Sequence, residues 1–211
     1  MARPLARRPG ASTAALPQWI RPQLTQLVDA APEGDQWLHE IKFDGYRMHA
    51  RLDRGAVKLL TRIGLDWTDK YPQIAAAVSS LGAHHAYLDG ELCGVGADGI
   101  TSFSMIQLAS DSGNAAALVF FLFDLLYLDG EDLTVRPLID RKARLAGLLS
   151  NVPSVLHYCD HQIGRGREFH KQACAMSLEG IVSKRTDAPT RPATAACGSR
   201  SNACTARNLW W

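Results

Sequence analysis

The ten residues Ala117-Leu-Val-Phe-Phe-Leu-Phe-Asp-Leu-Leu126 carry a single polar side chain, that of Asp124. The run is too short to cross a bilayer as a helix, which takes about 20 apolar residues. It has no polar alternation that would leave one face wet, so it reads as a central strand covered on both faces. A chain holding such a strand must supply further strands to pair with it and further layers to cover it.

The neighbouring segments supply them. Trp37 to Lys42, Tyr46 to Leu52 and Val57 to Thr61 read as strands, the last two joined by the polar turn Asp53-Arg54-Gly55, and together form an antiparallel meander. Tyr71 to Leu81 sets Ile74, Val78 and Leu81 at helical spacing, with Gly82 as the C-terminal stop. Ala86 to Leu92 reads as a strand, Phe103 to Leu108 as a short helix, Ile139 to Leu149 and Glu168 to Met176 as helices, and Gly180 to Lys184 as a last strand. Strands dominate and helices pack outside them, so the expected class is α+β. The glycine-rich Gly94 to Gly99 reads as a hairpin turn rather than a phosphate-cradling loop.

With 211 residues, 46% of them hydrophobic and 21% charged, the chain suits one sizeable core, placed at residues 18–190. Residues 1–17, rich in Arg, Pro and Ala without a period, read as a flexible basic arm or linker outside the fold. Residues 191–211 have no period either and read as an unstructured tail. A formal net charge of +2 supplies no global field for nucleic acid. Five cysteines without a C-x-x-C pair fit neither a disulfide framework nor a zinc ribbon, which points to a reducing cytoplasm. The paired arginines near the start are not followed by an apolar stretch of signal-peptide length, and no window approaches the length of a membrane span, so no membrane partner is expected. His84-His85 and the cluster from His157 to His161 lack the spacing of a closed zinc site, and Trp210-Trp211 is assigned no role.

The chemistry concentrates in Glu40-Ile-Lys42-Phe-Asp44-Gly-Tyr-Arg47, where a lysine at a strand end is flanked by acids and an arginine. Such a lysine becomes a nucleophile if partial burial, nearby cations or a metal lowers its pKa. A lone K-x-D-G motif is equally compatible with a strand of solvated ion pairs.

Four further segments follow in order: Thr61-Arg62-Ile-Gly64, Asp89-Gly-Glu91, Phe123-Asp-Leu-Leu126 and Glu179-Gly-Ile-Val-Ser-Lys184. Together with the lysine motif they resemble the covalent nucleotidyltransferases, and over residues 18–190 the wording is most similar to the ligase module of bacterial multidomain end-joining ligases. The resemblance implies an ATP-dependent DNA ligase adenylation domain with a nucleotidyltransferase (ATP-grasp-like) fold of antiparallel sheets flanked by helices. It implies that Lys42 attacks the α-phosphate of ATP, that Glu40 recognises the adenine amine, and that Phe123 stacks on the ring. Arg47 and Glu91 would hold the ribose, with Asp44 and Lys184 in the nucleotide site. Glu179 would place Mg2+ (or Mn2+), and Arg62 would face the 5′-phosphate of nicked or broken double-stranded DNA. Other end-joining domains or proteins are the implied partners. RNA ligases and capping guanylyltransferases share the lysine motif and are the neighbouring alternatives.

The resemblance fails at the end. The family's fifth motif, of the type Trp-x-Lys-x-Lys, and its OB-fold domain are not read in this sequence, and residues 191–211 contain no lysine. Cys197-Gly-Ser-Arg-Ser-Asn202 can be encoded as TGT GGG TCA AGG TCA AAT, and a neighbouring frame of those bases reads Trp-Val-Lys-Val-Lys. The expectation is therefore a frameshifted tail, with a catalytically impaired nucleotide-binding remnant as the alternative to a working ligase domain.

Overall fold

The apolar run forms the strand expected of it, Leu118–Leu128, in a computed structural model that describes residues 14–96, 99, 101, 102, 104–106, 118–190 and 198–202. In chain order the elements are β1 (Thr25–Leu27), β2 (Trp37–Ile41), β3 (Tyr46–Asp53), β4 (Ala56–Thr61), α1 (Pro72–Ser79), β5 (His85–Val95), β6 (Thr101–Ser102) and β7 (Leu118–Leu128). They continue with β8 (Glu131–Asp132), α2 (Leu138–Leu148), β9 (Leu156–Tyr158), β10 (Gln162–Ile163), α3 (Gly166–Ala175), β11 (Gly180–Arg185) and β12 (Gly198–Asn202).

Among the described residues the strands make two sheets. The larger has seven strands in the order β4-β3-β5-β7-β8, with β6 on β5 and β9 on β7, and the smaller has five in the order β1-β12-β11-β2-β10. Pairing is antiparallel apart from β7 with β9 and β1 with β12, which run parallel. The central position of β7 explains its composition. Leu118, Phe120, Leu122 and Leu125 join the main core with Met48, Leu52, Leu88 and Leu92, covered by Ile74 and Val78 of α1 and Leu145 of α2. Tyr87, next to Leu88 on β5 and so on the other face, packs with Leu126 and Tyr127 in a second apolar cluster.

That second cluster corrects the reading of the N-terminal arm. Ala14, Leu16 and Ile20 cover it, the Ala14 N–H donates to the Gly130 carbonyl at 2.9 Å, and Arg51 donates to the Pro17 carbonyl at 3.0 Å. Residues 14–17 therefore belong to the fold, while residues 1–13 lie outside the described part. The tail reading is corrected in the same way. Gly198–Asn202, expected to be without structure, is a strand lodged between β1 and β11. Smaller differences follow from local geometry. Helix α1 ends on Ser80 in the right-handed region, two residues before Gly82, so Gly82 is not its stop. Only Ser104 to Ile106 of the short helix expected from Phe103 fall within the described residues, and they are helical. The turn after β5 is the hairpin expected, since β6 pairs back on Gly94 and Val95.

Candidate functional site

Between Ile41 and Tyr46 the chain leaves the smaller sheet and enters the larger one, and Lys42 stands at this crossover. Its N–H donates to the Gly180 carbonyl at 2.9 Å, which ties it to β11. Three residues on, Gly45 passes so close to β5 that any Cβ there would collide with the Leu92 carbonyl oxygen. The glycine is required by this close approach and not by a positive φ. The two sheets enclose a cleft of about 360 Å³, lined among others by Glu40, Lys42, Arg47, Glu91, Phe123 and Lys184.

The Lys42 ammonium pairs with the Glu179 carboxylate at the edge of the cleft, Lys42 being 21% and Glu179 41% exposed. Arg47 opposes Glu91 in the ladder of β3 and β5 and grips Asp89 with two bonds of 2.6 and 2.7 Å. His49 Nε2 lies 3.2 Å from the same carboxylate, while its Nδ1 meets the Tyr87 hydroxyl at 2.9 Å. Burial alone raises the Asp89 carboxyl, but Arg47 and His49 outweigh it and hold the group well below the usual carboxylate range. Glu91 has no such grip. Burial pushes its carboxyl up to about 7, Arg47 offsets part of this, and the Asp89 charge adds to the rise. Asp44 is not among the residues lining the cleft and acts on it through charge, raising Glu91 further.

Phe123 owes its position to an irregularity in the sheet. Opposite β5, Leu122 pairs with Gly90 and Asp124 with Asp89, so Phe123 is the extra residue of a β-bulge. Bulges re-aim a side chain out of the regular alternation, and here the ring is turned into the cleft, where the Arg47 guanidinium lies 4.6 Å and the Lys184 ammonium 4.3 Å from its centroid. Glu40, 2% exposed, has a lysine on each oxygen: Lys142 on one and Lys184 at 2.5 Å on the other. Burial raises the Glu40 carboxyl, but the two lysines outweigh it and leave it below its ordinary value. Beside it Arg141 holds Asp124 through bonds of 2.7 and 2.8 Å.

Arg62, exposed just past β4, borders both this cleft and an adjoining pocket formed with Tyr46, Ile63, Leu65 and Trp67. The site's carboxylates suit a hard cation that takes one or two of them and fills its shell with phosphate and water. Glu179 is the exposed one, and among the described residues no three such ligands converge into a metal cage.

Eight of the nine residues expected at the site thus meet in or at one cleft. Two further groups, Arg141 and Lys142, escaped the reading because a helix rich in Arg and Lys looks solvent-facing. The available signal was their spacing: with Leu138 and Leu145 they fall at i, i+3, i+4 and i+7, on the buried stripe of α2.

Comparison with known proteins decides the family. A model for the ATP dependent DNA ligase domain matches residues 22–196. The chain belongs to the ATP-dependent DNA ligase family. It is 38% identical over 185 residues to the multifunctional non-homologous end joining protein LigD of Pseudomonas aeruginosa, covering 87% of this chain and 22% of that protein. With LigD of Mycobacterium tuberculosis the identity is 36% over 167 residues, covering 77% and 21%. Among solved structures, mycobacterial DNA ligase D complexed with ATP and MES superposes with a TM-score of 0.76 at 31% identity, over 87% of this chain and 60% of that one. The ligase domain of LigD from M. tuberculosis gives 0.75 at 31%, over 87% and 59%. The chain therefore spans about a fifth of the length of these two LigD proteins. It has the α+β nucleotidyltransferase fold of this ligase family, and no helix among the described residues is long and apolar enough to cross a membrane.

Proposed function

We propose that the cleft binds ATP and that Lys42 takes AMP from it, to pass it to the 5′-phosphate of nicked or broken double-stranded DNA. The observation that carries this reading is a partly buried lysine at the crossover of two sheets, facing a pocket with an aromatic floor and a buried carboxylate. Phe123 offers the base a ring face once the Lys184 ammonium turns away, and Glu40 accepts a hydrogen bond from the adenine amine. Arg47 and Glu91 reach the ribose, and Lys184 turns to the phosphates.

The Lys42 amine, once deprotonated, forms a P–N bond to the α-phosphorus while the bond to the β-phosphate oxygen breaks and pyrophosphate leaves. A 5′-phosphate oxygen of the DNA, drawn in by Arg62, then attacks the same phosphorus, breaks the P–N bond and returns the amine to Lys42. Glu179 and the phosphate oxygens would hold Mg2+ (or Mn2+), which supplies charge neutralisation on the phosphates when bound. Asp44 acts from the side through its charge. The matched relatives are end-joining proteins, which supports work beside other end-joining domains or proteins on DNA in the cytoplasm.

Incubation with α-labelled ATP and Mg2+ beside a Lys42→Ala control, followed by denaturing electrophoresis, tests the reading. Label on the chain that disappears in the control is the expected result; a folded chain that takes no label overturns it.

A second reading is favoured by β12. Its backbone pairs with β11, Gly198 opposite Lys184 and Arg200 opposite Val182. This is the stretch whose neighbouring frame reads Trp-Val-Lys-Val-Lys, with lysines near positions 200 and 202. A strand that docks by its backbone but lacks those cations leaves the leaving pyrophosphate less neutralised, and adenylation is then slow. Restoring that frame across codons 197–202 raises labelling on this reading and leaves it unchanged on the first.

A further inference from the structure

Lys142 is an unusual lysine. Its side chain is wholly buried on the inner face of α2. Its ammonium pairs with one oxygen of Glu40, donates to the Cys159 carbonyl at 2.8 Å and to the Phe123 carbonyl at 3.5 Å, and lies 4.6 Å from the Tyr158 ring centroid. Burial lowers its pKa, yet Glu40 outweighs this and keeps it charged. One ammonium thus links the carboxylate of Glu40 to the backbone of Phe123, the two residues assigned above to the base.

The other oxygen of Glu40 is held differently. Its partner Lys184 is 21% exposed in the cleft and also lies over the Phe123 ring. Lys184 cannot stay there when a base occupies that ring face and phosphates lie nearby. A carboxylate only 2% exposed that loses its one counter-ion takes a proton or swings away. With Lys142 in place it does neither, and the oxygen that Lys184 vacates becomes an acceptor pointing into the cleft.

We propose that Lys142 is a positioning residue that acts through Glu40, serving as its permanent counter-ion so that the carboxylate selects a purine bearing an amino group at its six position. The inference rests on Glu40 being the base contact. Guanine presents an oxygen there, which an ionised carboxylate repels.

The test is calorimetric binding of ATP, GTP and purine riboside triphosphate, which lacks the exocyclic amine, to the whole chain. It compares the unmodified chain with Lys142→Met, Glu40→Met and the double variant. The unmodified chain is expected to prefer ATP over purine riboside triphosphate on the order of tenfold, as for one hydrogen bond to a charged acceptor. Each single variant is expected to lose that preference, and the double variant to lose no more than either, as for two residues acting as one unit. Thermal melting checks that each variant folds. If Lys142→Met does not, Lys142→Gln keeps a donor for the two carbonyls, drops the charge and carries the same test. A Lys142 variant that weakens ATP and purine riboside triphosphate equally and keeps their ratio has a structural role only, which overturns the inference while leaving Glu40 as the base contact. A Glu40→Met variant that keeps the preference overturns that contact and the inference with it. No ATP affinity in the unmodified chain overturns the nucleotide reading itself.

Discussion

Replacing Glu91 by glutamine should make the protein progressively more stable than the unmodified chain as pH rises. The carboxyl lifts from 4.5 to about 7 on folding, chiefly through burial. Below 4.5 it is protonated in both folded and unfolded states and contributes no difference. Between 4.5 and 7 the unfolded chain has released the proton and the folded chain still holds it, so stability falls with rising pH until the folded group also ionises. At about 1.4 kcal/mol per pH unit the full span amounts to roughly 3 kcal/mol, and solvent at this half-buried side chain leaves about 2 to 3. Glutamine stays neutral throughout and escapes the loss. Urea unfolding of Glu91→Gln and the unmodified chain, from pH 4.5 to 8.5, reads the difference directly. The gap should widen up to about pH 7 and then level off, and at pH 8.5 the variant should melt higher by roughly 5 to 10 °C, at about 2 to 4 °C per kcal/mol. A constant offset means little, because the slope is the test. A gap that stays flat across this range would refute the buried, proton-holding Glu91.

Three further outcomes are expected. Phe123→Ala should weaken ATP binding by about 1–3 kcal/mol, the usual worth of a base stacked on an aromatic ring, measured by calorimetric titration. Gly90→Ala should destabilise by about 1–3 kcal/mol in denaturant unfolding, since its Cβ would sit 2.5 Å from the Phe121 carbonyl oxygen and 2.7 Å from the Phe120 ring. Arg62→Ala should lower affinity for nicked duplex DNA and reduce the salt dependence of binding by about one counterion, measured by titration at several salt concentrations.

Most of the sheet framework was legible because β2, β3, β4, β5, β7 and β11 carry their own patterns in the sequence. The cleft was legible because its residues cluster in short motifs on those strands. What escaped shares a physical cause. The strand Gly198–Asn202 has no side-chain pattern, and its structure comes from the backbone edges that β1 and β11 present to it. Residues 14–17 dock through carbonyls and small apolar groups, which no periodicity records. Lys142 reads as a solvated helix residue until the fold places the Glu40 carboxylate beneath it. Gly45 carries no signal of its own beyond its place in the lysine motif, and only the nearness of β5 reveals why no larger residue fits.

The bulge at Phe123 has a consequence for length variation. Deleting a residue from the middle of a paired strand normally shifts every side chain beyond it to the wrong face. Here β7 holds one residue more than β5 needs at this point, with Leu122 already opposite Gly90 and Asp124 already opposite Asp89. Losing either Leu122 or Phe123 would close this irregularity, and the one aromatic or aliphatic residue left between Phe121 and Asp124 would pair with Gly90 and return to the regular alternation. The aromatic floor of the cleft is thus specified by a count of residues as much as by the identity of one. A chain shortened by either codon should fold with a more regular sheet and a blind site.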